Sequence, residues 1–167
     1  MRKIKEAIAI ILTVVLLFTG IPMTEINLAQ IKANAIEEEE LKVCGDFLYL
    51  VEKDINGVAE GIIIAYYTGS ETDVVIPETI ENLPVTQIGY YAFDTNSNPY
   101  DDGLENIESI SIPDTVEIIG RYAFEGLNKL RKMKLPANLR IIDSYAFKDC
   151  KSLETLEFGN KVESLGG

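Results

Sequence analysis

Ile112-Pro113-Asp114-Thr115-Val116-Glu117-Ile118-Ile119-Gly120-Arg121-Tyr122-Ala123-Phe124 returns 23 residues later as Leu135-Pro136-Ala137-Asn138-Leu139-Arg140-Ile141-Ile142-Asp143-Ser144-Tyr145-Ala146-Phe147. Leu130 recurs as Leu153 at the same spacing, and a third copy opens at Phe158. Self-similarity at a fixed period of roughly 20–29 residues, with apolar positions in register, predicts a stack of short strand-and-turn units. Within one unit, Leu130, Met133 and Leu135 face one way while Lys132 and Lys134 face the other. Pro136 ends this short strand because proline cannot donate to a ladder. Leu139, Ile141 and Ile142 form a second apolar run, and Ser144 is placed to brace the tight turn that holds Tyr145-Ala146-Phe147. Alanine fits a bend with no room for more, and phenylalanine fills the core. One unit buries too little to be stable alone, so stability must come from stacking on neighbours. Residues 107, 110 and 112, then 130, 133 and 135, then 153, 156 and 158 are therefore expected to form continuous apolar ladders.

Upstream, Phe47 to Val51 and Ile62 to Tyr67 are rich in strand-forming residues. Asn56-Gly57 between them is a turn signal, with length left over for a bulge. An antiparallel pair at 47–75 suits the role of an N-terminal β-hairpin cap, since the open end of a stack exposes core and strand edge. Val74-Val75-Ile76-Pro77 begins a first, irregular repeat that continues as Ile88-Gly89-Tyr90-Tyr91-Ala92-Phe93. Pro77 and Pro113 are 36 apart, an excess of 13 over the period. Five of the extra residues fall around Asn82-Leu83-Pro84 and eight lie between Phe93 and Leu104. Insertions in a solenoid emerge as loops and often carry specificity. The expected fold is mainly β with short helical turns: a leucine-rich repeat solenoid of about three coils over residues 76–167, preceded by the hairpin cap.

Residues 1–35 read as a signal peptide. Arg2, Lys3 and Lys5 precede an uncharged apolar run from Ala7 to Phe18, and Ala33-Asn34-Ala35 is a small-x-small cleavage signature. The run is shorter than the roughly 20 residues a membrane span takes; an uncleaved anchor is the alternative reading. A flexible acidic lead-in follows at 36–46. The whole chain carries a net charge of −12; from Ile36 onward 11 basic and 25 acidic residues remain, a net −14. The acid is concentrated in residues 36–117, with 19 acidic and 2 basic groups, against 6 and 9 in 118–167. Such a balance argues against nucleic acid, which calls for clustered Lys and Arg, and against attraction to anionic lipid. No membrane insertion is expected after cleavage. Cys44 and Cys150 would meet an oxidising compartment, where a disulfide is conceivable. The register instead sets Cys150 at the position of Leu127, a slot that suits a small buried thiol, far from Cys44.

The pattern Ile-Pro-Asp-Thr-Val-x-Ile-Ile-Gly-x-Tyr-Ala-Phe followed by Leu at 112–130, repeated at 135–153, resembles the BspA-type leucine-rich repeat of bacterial surface proteins. Tyr66-Tyr67-Thr68-Gly69-Ser70 through Pro77 resembles the usual start of such arrays, so the likeness covers roughly residues 45–167. It implies a secreted or surface-displayed solenoid, in a family linked to adhesion to host or matrix proteins and to other cells, and it implies no catalytic residues. The chain departs from the pattern in having few coils. It also stops at Ser164-Leu165-Gly166-Gly167, where another Tyr-Ala-Phe turn is due, which reads as the first part of a longer array.

The chain contains no histidine, which removes His-based triads and His-ligated zinc. No Gly-rich phosphate loop follows a strand, and no carboxylate pair is marked by spacing, so neither an enzyme nor a cofactor is expected. Asp94, Asn96, Asn98, Tyr100, Asp102 and Glu105 fall on the oxygen-donor positions of a calcium-loop pattern. Pro99 stands where that pattern needs glycine, and an Asp/Asn-rich turn yields the same letters, so calcium is the secondary reading. The outward strand positions form two columns, Ser109-Lys132-Thr155 and Ser111-Lys134-Glu157. Together with Tyr100 on the long insertion they are the candidate binding surface for a protein or glycan ligand. The alternative is a structural spacer that binds little.

Overall fold

The computed structural model describes residues 41–101, 103–157 and 161–166, with Lys132 and Glu157 described by backbone alone. These residues fall in the second of two units into which the chain divides, Glu40–Gly167. The predicted signal peptide and the start of the acidic lead-in lie outside the described residues. In chain order the strands are β1 (Lys42–Cys44), β2 (Phe47–Lys53), β3 (Ala59–Tyr67), β4 (Asp73–Val75), β5 (Thr79–Ile80), β6 (Leu83–Ile88), β7 (Ser109–Ser111), β8 (Ile118–Ile119), β9 (Lys132–Lys134), β10 (Ile141–Ile142), β11 (Thr155–Glu157) and β12 (Ser164–Leu165). The helical content of the described residues is a single 3-10 turn, Leu104–Asn106. The described residues are thus mainly β with almost no helix.

β1, β2 and β3 pair antiparallel in sequence order. Strand pairing therefore begins at Lys42, inside the stretch read as the acidic lead-in. Gly45, at φ 56°, makes the tight β1–β2 turn. At the β2–β3 tip, one Asp54 carboxylate oxygen accepts the N–H groups of Asn56 and Val58, each at 2.8 Å. Register shifts at Leu48/Tyr49 and Glu52/Lys53 absorb the extra length seen in the sequence.

β3 also pairs in parallel with β6, which continues through β8 and β10 to β12. A second parallel sheet runs in the order β11-β9-β7-β4. In both sheets successive repeats pair residue for residue at the sequence period: Ile118 with Ile141, Lys132 with Thr155. Between the sheets lies the core. Ile107, Ile110, Ile112, Leu130, Met133 and Leu135 are buried, and Leu153 and Leu156 pack against them. Phe158, the last expected member of this ladder, lies outside the described residues.

The Tyr-Ala-Phe turns stack through their backbones. The N–H groups of Phe93 and Phe124 donate to the carbonyls of Ala123 and Ala146 in the next turn, at 2.8 and 2.9 Å. Ala92, Ala123 and Ala146 are all buried, as expected of a bend without space. Their phenylalanines form a stack that reaches back into the hairpin: Phe47–Tyr67, Tyr67–Phe93, Phe93–Phe124 and Phe124–Phe147 ring centroids lie 5.2–5.4 Å apart. The turn at Tyr145 is braced by Asp143 rather than Ser144, through its carboxylate and the Ser144 N–H at 2.6 Å.

The five-residue insertion forms a small antiparallel pair, β5 with the start of β6, turning at Glu81 and Asn82 (φ 52° and 65°). The eight-residue insertion is a loop of turns leading into the 3-10 segment.

Candidate binding surface

The outward columns of the second sheet are assembled by strand register. Ser109 sits beside Lys132 and Lys132 beside Thr155. Lys134 sits beside Glu157, and continuing the β7–β9 register sets Ser111 against Lys134. Ser111, Lys134 and Thr155 are exposed and Ser109 half-buried; the side chains of Lys132 and Glu157 lie outside the described residues. β4 supplies a first rung that the sequence reading left out. Asp73 pairs with Ser109 and Val75 with Ser111. The Ser109 hydroxyl donates to the Asp73 carboxylate at 2.5 Å, and Val75 is exposed. The signal was present: Val74-Val75-Ile76-Pro77 mirrors Ile110-Ser111-Ile112-Pro113. The 36-residue gap removes it from the 23-residue comb. Each column thus runs over four strands, from acid or apolar at β4, through hydroxyl at β7 and lysine at β9, to Thr155 or Glu157 at β11.

Tyr100 stands elsewhere. Its ring packs on Tyr66 of β3, 5.6 Å between centroids, and its hydroxyl is buried without a partner. Burial pushes both phenols above the ordinary tyrosine value. The structure brings Tyr100 to the first sheet and the columns to the second.

The calcium-pattern residues hold their own loop. Asp94 is fully buried; one carboxylate oxygen accepts the Asn96 N–H at 2.9 Å and its amide at 3.2 Å, and the other has no partner. The Asn98 amide turns inward to the carbonyls of Tyr67 (2.8 Å) and Ala92 (3.1 Å), while its oxygen accepts the Tyr100 N–H. Asp101 accepts the N–H groups of Gly103 and Leu104. Glu105 is exposed, and Asp102 lies outside the described residues. The bonds accepted by Asp94, Asp101 and the Asn98 oxygen are those of Asx turns, while the Asn98 amide reaches outside the loop. Among the described residues no group of three or more Cys, Asp or Glu is placed to share a metal.

The two thiols are separate. Cys44 is exposed on β1. Cys150 donates to the Phe124 carbonyl at 3.1 Å, and burial pushes its thiol up to about 11. Polar ties across the surface repeat at the period: Lys129–Asn106, Lys148–Glu125 and Lys161–Asn138 each span 23 residues. Arg140 is held between Glu117 and Glu163, at 3.4 and 3.3 Å. Among the described residues no helix is long and apolar enough to cross a membrane.

Two stacks of parallel strands in register at a leucine-rich period, with an apolar core between them, define the class of leucine-rich repeat proteins. Residues 96–167 match the BspA-type leucine-rich repeat region in six copies. The chain is 32% identical to the leucine-rich repeat protein of T. pallidum, with a TM-score of 0.61, over 74% of this chain and 52% of that one. It therefore spans about half the length of that relative. A leucine-rich repeat protein of Bacteroides capillosus is 30% identical, with a TM-score of 0.61, over 75% of this chain and 87% of that one. A leucine-rich cell surface protein of Faecalibacterium prausnitzii is 25% identical over 68% of this chain and 29% of that one, with a TM-score of 0.55. No curated protein matches. The chain belongs to the BspA-type leucine-rich repeat family.

Proposed function

We propose that the chain is a protein-binding module of the bacterial cell surface. Its repeats wind as a solenoid of about three coils, with the β2–β3 hairpin covering the N-terminal end. Residues 1–35 direct it out of the cell. The observation that carries this reading is the outward face of β4, β7, β9 and β11, where exposed Val75, Ser111, Lys134 and Thr155 are presented in strand register. Extended faces of this kind suit recognition of folded partners. The likeness to a leucine-rich cell surface protein supports the location. The test is a surface plasmon resonance screen of the chain against purified host matrix proteins. For the ligand found, Lys134→Glu combined with Ser111→Arg is expected to weaken binding about tenfold or more. The exposed Asn128→Ser control is expected to leave it unchanged. Binding indifferent to the double change would move recognition off this face.

A further inference from the structure

Each Tyr-Ala-Phe turn sets its tyrosine at positive φ: 60° at Tyr91, 57° at Tyr122 and 62° at Tyr145. That conformation costs a side-chain-bearing residue about 1–2 kcal/mol. Ring stacking offsets part of the cost: Tyr91–Tyr122 centroids are 5.3 Å apart and Tyr122–Tyr145 centroids 5.1 Å apart, with planes within 13°. Arg121 lies across this column, its guanidinium carbon 5.1 Å from the Tyr122 ring and 5.6 Å from Tyr145. It is exposed, and no carboxylate among the described residues pairs with it, whereas Arg140 pairs with Glu117 and Glu163 and Lys148 with Glu125. The rings steady a guanidinium whose N–H fork stays open to solvent. On its N-terminal side stands Tyr90, 60% exposed, lying against Gly120 where any Cβ would meet its ring. On the other side Tyr145 is 45% exposed.

We propose that Tyr90, Arg121 and Tyr145 form a binding site for a sugar bearing a single carboxylate on an otherwise neutral oligosaccharide. The guanidinium fork matches a carboxylate bidentately. The flanking tyrosines offer apolar ring surface to sugar C–H groups, and their hydroxyls offer hydrogen bonds. Tyr90, the N-terminal flank of the site, belongs to residues 36–117, whose 19 acidic and 2 basic groups repel polyanions, acidic peptides included. A lone carboxylate on a neutral ligand meets little of that repulsion and keeps the short-range fork. This surface belongs to the turns that follow the first sheet, so it stands or falls independently of the columns on the second.

The experiment is a titration of the full chain with sialyllactose, followed by NMR chemical shifts, with lactose as the carboxylate-free control. Saturable binding of sialyllactose is expected, with lactose about tenfold weaker or more, the equivalent of one lost charge-assisted pair. Arg121→Gln is expected to remove the difference between the two sugars. Arg121→Lys should recover only part of it, because lysine keeps the charge and lacks the fork. Tyr90→Ala should weaken both sugars alike. Thermal melts of each variant confirm that the fold is retained. Equal affinity for the two sugars, binding unchanged in Arg121→Gln, or no binding at millimolar ligand would each overturn the proposal. Tighter, Arg121-dependent binding of an acetylated Gly-Asp-Gly peptide would also overturn it, in favour of a protein carboxylate.

Discussion

Glu125 ties two neighbouring turns together. It is 7% exposed and takes the Lys148 ammonium at 2.5 Å, an interaction that raises the Lys148 pKa. Removing one partner of a buried pair leaves a desolvated charge without compensation. Lys148→Met is therefore expected to lower the melting temperature by several degrees, and adding Glu125→Leu should restore most of the loss. Because the Lys148 pKa is raised on folding, its contribution is complete below the unfolded lysine value and fades as pH climbs through the folded one. The thiols give a second prediction. Cys150, pushed up from an ordinary 9.0 to about 11, stays protonated and sheltered, while Cys44 is exposed. Native alkylation near pH 8 should label Cys44 alone, and denatured protein should take label at both positions, as mass spectrometry would record. The raised thiol pKa also means stability held up to the ordinary thiol range and declining as pH rises from there toward the folded value.

At the scale of elements, one side chain of the long insertion reaches both the hairpin and the first turn. Asn98, 6% exposed, donates to the carbonyls of Tyr67 at the end of β3 and Ala92 in the first turn. It ties the hairpin, the turn and the loop together. Asn98→Ala removes both bonds, though the Ala92 carbonyl still accepts the Tyr67 N–H, and is expected to cost about 1–3 kcal/mol in urea unfolding. Asn96→Ala, on an exposed neighbour, should cost far less. The sequence disclosed where this insertion lies but not what its polar residues do. Alternating Asp and Asn fit a cation and an Asx-turned loop equally well, and only tertiary neighbours such as the Tyr67 carbonyl distinguish them. The repeat strands were legible because an in-register comb is set by periodicity alone. β1 and the β5–β6 pair were not, since two- and three-residue strands are specified by their partners more than by their own letters. The outward columns at β7, β9 and β11 were legible from alternation, and the β4 rung was hidden by the irregular spacing before it.

Across the whole molecule, the aromatic stack from Phe47 to Phe147 passes through both the hairpin and the repeats. It gives hairpin and repeats a shared aromatic core, from which cooperative unfolding is expected. Phe124→Ala removes a fully buried ring between two others and should cost about 3–5 kcal/mol. Phe147→Ala, at a half-buried position, should cost less. If circular dichroism and aromatic fluorescence report one coincident transition for both variants, hairpin and repeats unfold together. The ion-pair column has a consequence of its own. Glu117, Arg140 and Glu163 alternate in sign along one edge, and Glu108, Arg131 and Glu154 alternate the same way, joined by backbone N–H to carbonyl bonds. The backbone repeats every period, whereas the charge pattern repeats every second one. An in-frame duplication of one period would set like charges side by side, and a duplication of two would keep opposite charges adjacent. For these two columns, the unit that duplicates without electrostatic conflict is a pair of repeats.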